Sequence, residues 1–283
     1  MLKNLIVRAL SGAVYVGLII ASLLLYVKSD VTFIILFGAL TVVGMLELKS
    51  MFDKRDEEAG KHSSWLVAAV DAGGGLAMLA AVRMPCRGAA PETAVVPVAA
   101  YAVVRLVLQL YRPALDALNS VSRSAMALTY VALPIAMLQL IIKMTSPGLL
   151  LGVLAFIWIN DTGAFLTGSM IGRHKLFPRI SPAKTWEGFL GGLALCLAAA
   201  WASSVWCSEW FTVPQLHLWL AIAATTSVIA TLGDLVESLF KRTAGVKDSG
   251  HIIPGHGGVL DRIDSLLLVS PAITLLLALA LGN

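Results

Sequence analysis

Three aspartates in the C-terminal half of this 283-residue sequence have the type and spacing for metal-assisted phosphate chemistry. Asp261 and Asp264 are three residues apart, so a helical first turn projects both carboxylates from one side. Two carboxylates that close repel each other unless a cation lies between them. Asp234 lies about 10 Å before the pair 241–242 on the preceding apolar segment. Carboxylate oxygens suit Mg²⁺ or Mn²⁺, so the sequence predicts a divalent metal site.

Each of these acids also has a simpler structural interpretation. An acid in the first turn of a helix gains about 0.3–1 kcal/mol from the helix dipole, which would account for Asp261 or Asp264 alone. Glu237 and Lys241 have the i, i+4 spacing of a local ion pair, and this interpretation stays open for Glu237. Asp234 lacks such a local partner and requires a cation, a metal or a hydrogen-bond donor from elsewhere in the chain.

A second polar segment, WINDTGAFLTGSMIGRHKLFPRISPAKTWEG at 158–188, could bind an anion. Asn160 and Asp161 lie within an apolar run, where ionisable groups are costly and often functional. Ser181, Lys184 and Arg173 could complete a phosphate pocket. In the alternative interpretation Ser181 is the N-cap of a helix that starts at the following proline. The two interpretations are compatible, because a helix N-terminus presents free amides to anions.

The loop GHIIPGHGG at 250–258 is too rich in glycine for a buried element. We expect its backbone to approach a phosphate or the metal, with Gly257 and Gly258 allowing the close approach. Whether His256 contacts a phosphate or only shapes the turn stays open.

The elements that position these residues must be membrane helices. The sequence is 58% hydrophobic and 13% charged, with a mean hydropathy of +0.84, whereas a soluble domain has roughly 25% charged residues. Unbroken apolar runs indicate helices rather than barrel strands. We predict an all-α, polytopic integral membrane protein of about nine transmembrane helices. They lie near 5–27, 31–48, 65–82, 94–111, 124–143, 148–170, 187–207, 215–240 and 262–282, and the span 94–111 is the weakest because Arg105 interrupts it.

The distribution of lysine and arginine predicts the orientation. If the N-terminus is cytoplasmic, fifteen of the 21 lysines and arginines fall on the cytoplasmic side and four, Lys28, Arg83, Arg87 and Lys143, on the other. Arg105 and Arg262 lie in or at helices. We therefore predict a cytoplasmic N-terminus. The net charge of +4 is mostly this excess, so we infer no nucleic-acid partner.

Two parts of the chain differ in their polar content. Residues 1–145 are predicted to be structural, with a dimer or lipid-access role, and their acids Glu47 and Asp71 are expected to make helix-end or interhelical contacts. Residues 146–283 are predicted to be catalytic and carry the polar loops 171–186 and 241–260.

The run SLFKRTAGVKDSGHIIPGHGGVLDRID, residues 238–264, resembles the signature of the phosphatidate cytidylyltransferase family, also called CDP-diacylglycerol synthases. The signature's fixed positions are occupied by Ser238, Lys241, Arg242, Lys247, Asp248, Pro254, His256, Gly257, Gly258, Asp261, Arg262 and Asp264. The NDxxA and SPxKTWEG segments also look like the family, so the resemblance covers about 155–265 in detail. Over the first half of the chain, the resemblance depends only on the number of helices and their hydrophobicity.

The resemblance implies transfer of the cytidylyl group of CTP to phosphatidic acid, which yields CDP-diacylglycerol and pyrophosphate. It also implies a homodimer in the bacterial inner membrane, with an active site on the cytoplasmic side and a centre of Mg²⁺ with K⁺. The family's metal ligands match Asp234, Asp261 and Asp264. Catalytic roles would fall to these three with Lys241 and Arg262. Substrate binding would fall to Ser181, Lys184, Arg242, Lys247, Asp248, Asn160, Asp161, Arg173, His256, Gly257 and Gly258.

Two alternatives remain open at this level. A related enzyme could use CTP with another lipid phosphate. An ion-coupled transporter could use Asp161 and Asp234 as cation sites near the midplane, and it would release no pyrophosphate.

Overall fold

The computed structural model describes residues 2–57, 65–111, 117–212, 215–253 and 257–282, and the side chains of 2–9 and 54–57 are not described. The helices are α1 (Leu2–Tyr26), α2 (Val31–Glu57), α3 (Trp65–Cys86), a 3₁₀ turn (Pro91–Ala94), α4 (Val95–Leu110), α5 (Ala117–Ala127), a π-helical turn (Leu128–Ala132), α6 (Leu133–Met144), α7 (Pro147–Ile171), α8 (Trp186–Trp206), α9 (Ser208–Phe211), α10 (Leu216–Thr243) and α11 (Leu260–Leu281). The strands are β1 (Lys175–Phe177) and β2 (Ser181–Thr185).

The polytopic all-α prediction is confirmed. Within the described residues, eight helices are long and apolar enough to cross a membrane, and Leu10–Tyr26 of α1 is a shorter apolar helix. Together they match the nine predicted spans. The span that begins at Ala117 runs through α5, the π-helical turn and α6 to Met144.

The segment 175–185 forms an antiparallel hairpin, which the sequence did not predict. Lys175 pairs with Thr185, and Phe177 pairs with Ser181. The proposed N-cap role of Ser181 is therefore wrong, since its backbone lies in a strand. Helix α8 instead begins at Trp186, and the Thr185 hydroxyl accepts a hydrogen bond from Gly188 N at 3.1 Å. Pairing with β1 gives the backbone of 181–185 the partners that a helix would otherwise supply.

The chain forms two compact units. The first contains Met1–Leu140 and Thr243–Arg262, and the second contains Ile141–Arg242 and Ile263–Asn283. The loop 243–262 therefore packs with the first helices of the chain.

A buried polar network in the first unit explains how α4 accommodates Arg105, the charged residue that interrupts the predicted span 94–111. Arg105 is 2% exposed, and its Nε lies 3.3 Å from Asp71 Oδ1. Ser124 and Tyr101 donate hydrogen bonds to the same carboxylate at 2.7 and 2.8 Å. A buried ion pair is tolerated when hydrogen bonds complete it. The expectation that Asp71 makes an interhelical contact is confirmed.

Asp30, between α1 and α2, gives a pH-dependent prediction. Its side chain is 5% exposed and forms ion pairs with Arg83 and Arg87. The hydrogen bond from Arg83, supported by Arg87, holds the pKa of Asp30 well below its usual range although burial acts the other way. A carboxyl whose pKa is lowered in the folded state stabilises that state at neutral pH. This stabilisation is lost as the pH falls below the unfolded pKa of about 4.

We expect Asp30→Asn to lower the stability in detergent at pH 7 by about 1.5–3 kcal/mol, the range for a hydrogen bond to a charged group. The corresponding fall in Tm is roughly 2–6 °C. Thermal melts from pH 7 to pH 3 should show the difference from wild type shrinking below about pH 5. A difference that does not change with pH would contradict this role of Asp30.

Candidate active site

Three carboxylates of the second unit lie together among the described residues. Asp234 and Glu237 on α10 and Asp264 on α11 each offer an oxygen, and these oxygens lie within 4.8 Å of one another. Gly233 permits this arrangement. A Cβ there would lie 2.9 Å from both Asp264 O and Ser265 Cα, which is closer than real contacts allow. The two helix backbones can therefore approach at the point where the acids are found.

Lysines neutralise two of these three charges. Lys184 Nζ on β2 lies 2.7 Å from Asp234 Oδ2, and Lys241 Nζ lies 2.5 Å from Glu237 Oε2. Lys184 is thus the partner from elsewhere in the chain that Asp234 required, and the Glu237–Lys241 ion pair is confirmed. Asp264 Oδ1 accepts from Ser265 N at 2.6 Å. With three carboxylates and two ammonium groups, the cluster keeps one negative charge.

The donor chemistry of this cluster fits a hard divalent cation. Carboxylate oxygens are the ligands that Mg²⁺ prefers in proteins, and Mn²⁺ accepts the same set. Three acids whose oxygens share so small a space repel one another, and a cation between them would relieve that repulsion. Among the described residues, Asp234, Glu237 and Asp264 lie close enough together to hold it.

Glu237 is the member of this cluster that the sequence prediction left out of its metal ligands. Its local ion pair with Lys241 was an adequate explanation of its side chain. The signal was nevertheless present, because Glu237 follows Asp234 by one helical turn and therefore shares its face. Its placement beside Asp264 is evident only in the packed helices.

Asp261 lies in the first unit, where its carboxylate orders the glycine-rich loop. Asp261 Oδ2 accepts from Ser249 N at 3.0 Å, Ser249 Oγ at 2.9 Å and Gly258 N at 2.8 Å. Gly257 has φ +83°, a conformation that favours glycine, and a Cβ there would lie 2.7 Å from the same oxygen. The expected close approach of the loop backbone is thus made to Asp261 itself. The metal role of Asp261 stays a prediction.

The remaining predicted residues differ in how far they are buried. Asn160 is 1% exposed and contacts α10, where its Oδ1 accepts from Ser227 Oγ at 2.6 Å and its Nδ2 lies 3.4 Å from Thr231 Oγ1. Ser181 is half-buried at the start of β2. The exposed residues are Asp161, Arg173, Arg242, Lys247, Asp248 and Arg262. His256 lies outside the described residues.

The profile of the cytidylyltransferase family matches residues 6–280, nearly the whole chain. The chain belongs to this family. The residues that carry the match therefore include both the carboxylate cluster and the glycine-rich loop.

The curated relatives of this cytidylyltransferase family member include proteins from staphylococci. Phosphatidate cytidylyltransferase of Staphylococcus aureus (strain COL) is 50% identical over 123 residues, which are 43% of this chain and 45% of the relative. The proteins of the same name from Staphylococcus haemolyticus and Staphylococcus epidermidis are 49% and 46% identical, with the same coverage. The match thus spans somewhat less than half the length of these relatives.

Lys184 provides a test of the predicted anion site. We expect Lys184→Ala to raise the KM for CTP by about 10- to 100-fold, because a charge-assisted hydrogen bond to a phosphate contributes about 1.5–3 kcal/mol. Lys175→Ala, which removes an exposed lysine from the neighbouring strand, is the matched control and should leave KM unchanged. CTP titrations that coincide for the two variants would remove Lys184 from the site.

Proposed function

We propose that this chain transfers the cytidylyl group of CTP to phosphatidic acid and so forms CDP-diacylglycerol for phospholipid biosynthesis. The observation that carries the proposal is the cluster of Asp234, Glu237 and Asp264 with its two lysines, in a member of the cytidylyltransferase family. The names of the staphylococcal relatives supply the lipid substrate.

The proposed reaction needs no strong general base. A phosphate monoester is mostly dianionic at pH 7, since its second pKa is about 6. A lipid phosphate oxygen forms a bond to the α-phosphorus of CTP, and the bond between that phosphorus and the oxygen bridging to the β-phosphate breaks. Pyrophosphate leaves with the electron pair of that bond. The barrier arises from bringing two polyanions together and from charge that develops on the leaving group.

The residues of this chain lower that barrier by positioning and by electrostatics. Asp234, Glu237 and Asp264, with Asp261 as a further proposed ligand, would hold a Mg²⁺ ion, which when bound would supply Lewis-acid polarisation of the phosphoryl oxygens. Lys184 and Lys241 neutralise the acids and are proposed to bind phosphate oxygens when the substrates arrive. Further phosphate contacts are assigned to Arg242, Lys247 and Arg262, and substrate-pocket contacts to Ser181, Asp161, Arg173, Asp248, Gly257, Gly258 and His256.

Asn160 is proposed to act beside the site through α10. Both of its polar side-chain atoms contact that helix, so it fixes α7 against the segment that carries Asp234. Close packing of α7 on α8 supports the same arrangement, because a Cβ on Gly163 would lie 3.1 Å from Gly192 Cα.

The charge distribution supports an N-terminus and an active site on the cytoplasmic side of a bacterial inner membrane. CTP would then arrive from the cytoplasm and phosphatidic acid from the inner leaflet. A homodimer and a second cation such as K⁺ are proposed from the family resemblance.

The test is an assay of the purified protein in mixed micelles with labelled CTP and dioleoyl phosphatidic acid, with and without Mg²⁺. We expect Mg²⁺-dependent formation of labelled CDP-diacylglycerol and of one pyrophosphate per product. Turnover only with a different lipid phosphate would replace the proposed substrate. Ion-dependent flux in sealed vesicles without pyrophosphate release would replace the enzyme with a transporter.

A further inference from the structure

Glu47 on α2 is a buried acid, 5% exposed, whose carboxylate contacts the glycine-rich loop of the first unit. Glu47 Oε1 accepts from Val259 N at 2.9 Å, and Oε2 accepts from Leu260 N at 2.7 Å. These amides lie at the start of α11, where the first N–H groups of a helix have no partner within the helix. A carboxylate is favourable there, because it meets the positive end of the helix dipole.

Two glycines of the loop are explained by the space that Glu47 occupies. A Cβ on Gly250 would lie 2.5 Å from Glu47 Oε1, and a Cβ on Gly258 would lie 2.6 Å from Glu47 Oε2. Real Cβ atoms do not approach other atoms so closely. The backbone at both glycines therefore lies close to this carboxylate, and larger residues at either position would push the carboxylate away.

Ser249 links this anchor to Asp261. The Ser249 hydroxyl oxygen lies 2.9 Å from Asp261 Oδ2 and 3.3 Å from Glu47 Oε2. A hydroxyl has one proton to donate, and the shorter distance assigns it to Asp261. The atoms that orient Asp261 are thus Ser249 N, Ser249 Oγ and Gly258 N, and the backbone that carries them is held against Glu47.

We propose that Glu47 is a positioning residue for the glycine-rich loop, a role that rests on the proposed function. It fastens the start of α11 and the loop residues around Ser249 and Gly258, and through them it sets the orientation of the Asp261 carboxylate. Glu47 acts through the loop and not on the reacting atoms.

The variant Glu47→Gln isolates this role. Glutamine has the size of glutamate, but its amide group turns an N–H donor toward one of the two backbone N–H groups. We expect kcat to fall by about 10²-fold, the effect of a displacement near 1 Å at a reacting centre. The KM for CTP should stay within about threefold of wild type. Glu47→Asp, whose shorter side chain retains the charge, should retain more turnover than Glu47→Gln.

The control is Asp30→Asn, which removes another buried acid from the same unit. The partners of Asp30 described above are Arg83 and Arg87, and neither lies in the loop. Asp30→Asn should lower Tm and leave kcat unchanged. If Asp30→Asn loses as much kcat as Glu47→Gln for the same loss of Tm, the proposal is overturned.

Amide hydrogen exchange gives a measurement that does not depend on activity. We expect Ser249, Val259 and Leu260 to exchange at least tenfold faster in Glu47→Gln than in wild type, and Asp30→Asn to leave them unchanged. Unchanged exchange in Glu47→Gln would overturn the proposal. A wild type that does not turn over CTP, together with faster exchange in Glu47→Gln, would contradict the proposed function while supporting the fastening of the loop.

If Glu47→Gln does not fold in detergent, Ser249→Ala takes its place. It removes the hydroxyl that donates to Asp261 and should reduce kcat by about tenfold, with faster exchange at Gly258. Wild-type kcat and exchange in Ser249→Ala would overturn the link from Glu47 to Asp261.

Discussion

Replacing Asp264 with asparagine is expected to reduce the turnover of CTP by about 10³-fold while the protein still folds. Asparagine retains an oxygen that can accept from Ser265 N, so the start of α11 keeps its local contact. What is lost is one negative charge of the cluster with Asp234 and Glu237. Metal-ion polarisation contributes several kcal/mol to transition-state stabilisation, and each 1.4 kcal/mol corresponds to a factor of ten in rate.

Two measurements check this expectation. Initial rates with labelled CTP should show the loss, and titration with Mn²⁺, followed by the electron paramagnetic resonance signal of the free ion, should show weaker binding. Glu92→Gln, which changes an exposed acid of the 3₁₀ turn at Pro91–Ala94, is the control for both. Near wild-type turnover in Asp264→Asn would contradict the assignment of this cluster as a metal site.

Asp261→Asn is expected to lower turnover by about 10²–10³-fold, the loss observed when one electrostatic contact to a transition state is removed. The asparagine oxygen can still accept from Ser249 N, Ser249 Oγ and Gly258 N, so the loop keeps its conformation. The variant therefore removes the charge of Asp261 and keeps an acceptor for these three hydrogen bonds.

The comparison with Asp264→Asn separates two roles for Asp261. If it is a metal ligand, both variants bind Mn²⁺ more weakly. If it acts on substrate phosphates through Arg262 or the loop, Mn²⁺ binding is retained and turnover alone falls. Asp53→Asn, which alters the partner of Lys49 on α2, is the matched control in the same unit. Turnover within twofold of wild type in Asp261→Asn would exclude both roles.

The membrane helices could be predicted from the sequence because hydropathy over about twenty residues is a local property. The same holds for the face shared by Asp234, Glu237 and Lys241, which follows from the helical repeat alone. The start of α8 could not be predicted in this way. Ser181 and Pro182 have the local features of a helix start, but pairing of Lys175 with Thr185 places them in a strand.

The contacts that assemble the candidate site join residues far apart in the sequence. Lys184 and Asp234 are 50 positions apart in the sequence. Glu47 accepts a hydrogen bond from Val259 N, which is 212 positions further along the chain. Local spacing gave no indication that Glu47 would hold the glycine-rich loop. The prediction of a helix-end contact for Glu47 was correct, but it did not name α11 as the helix. The placement of Glu237 beside Asp234 and Asp264 likewise depended on how α10 packs on α11 at Gly233.

The sequence by itself determined that this chain crosses a membrane many times and that its acids, lysines and glycines near 230–265 could handle phosphates and a divalent cation. Residue type and local period are sufficient for both conclusions. Only the tertiary structure decided which charges neutralise one another, since an ion pair forms where packing brings two side chains within a few ångströms. In a protein with little charge, the same packing decides which acids come close enough together to share a cation.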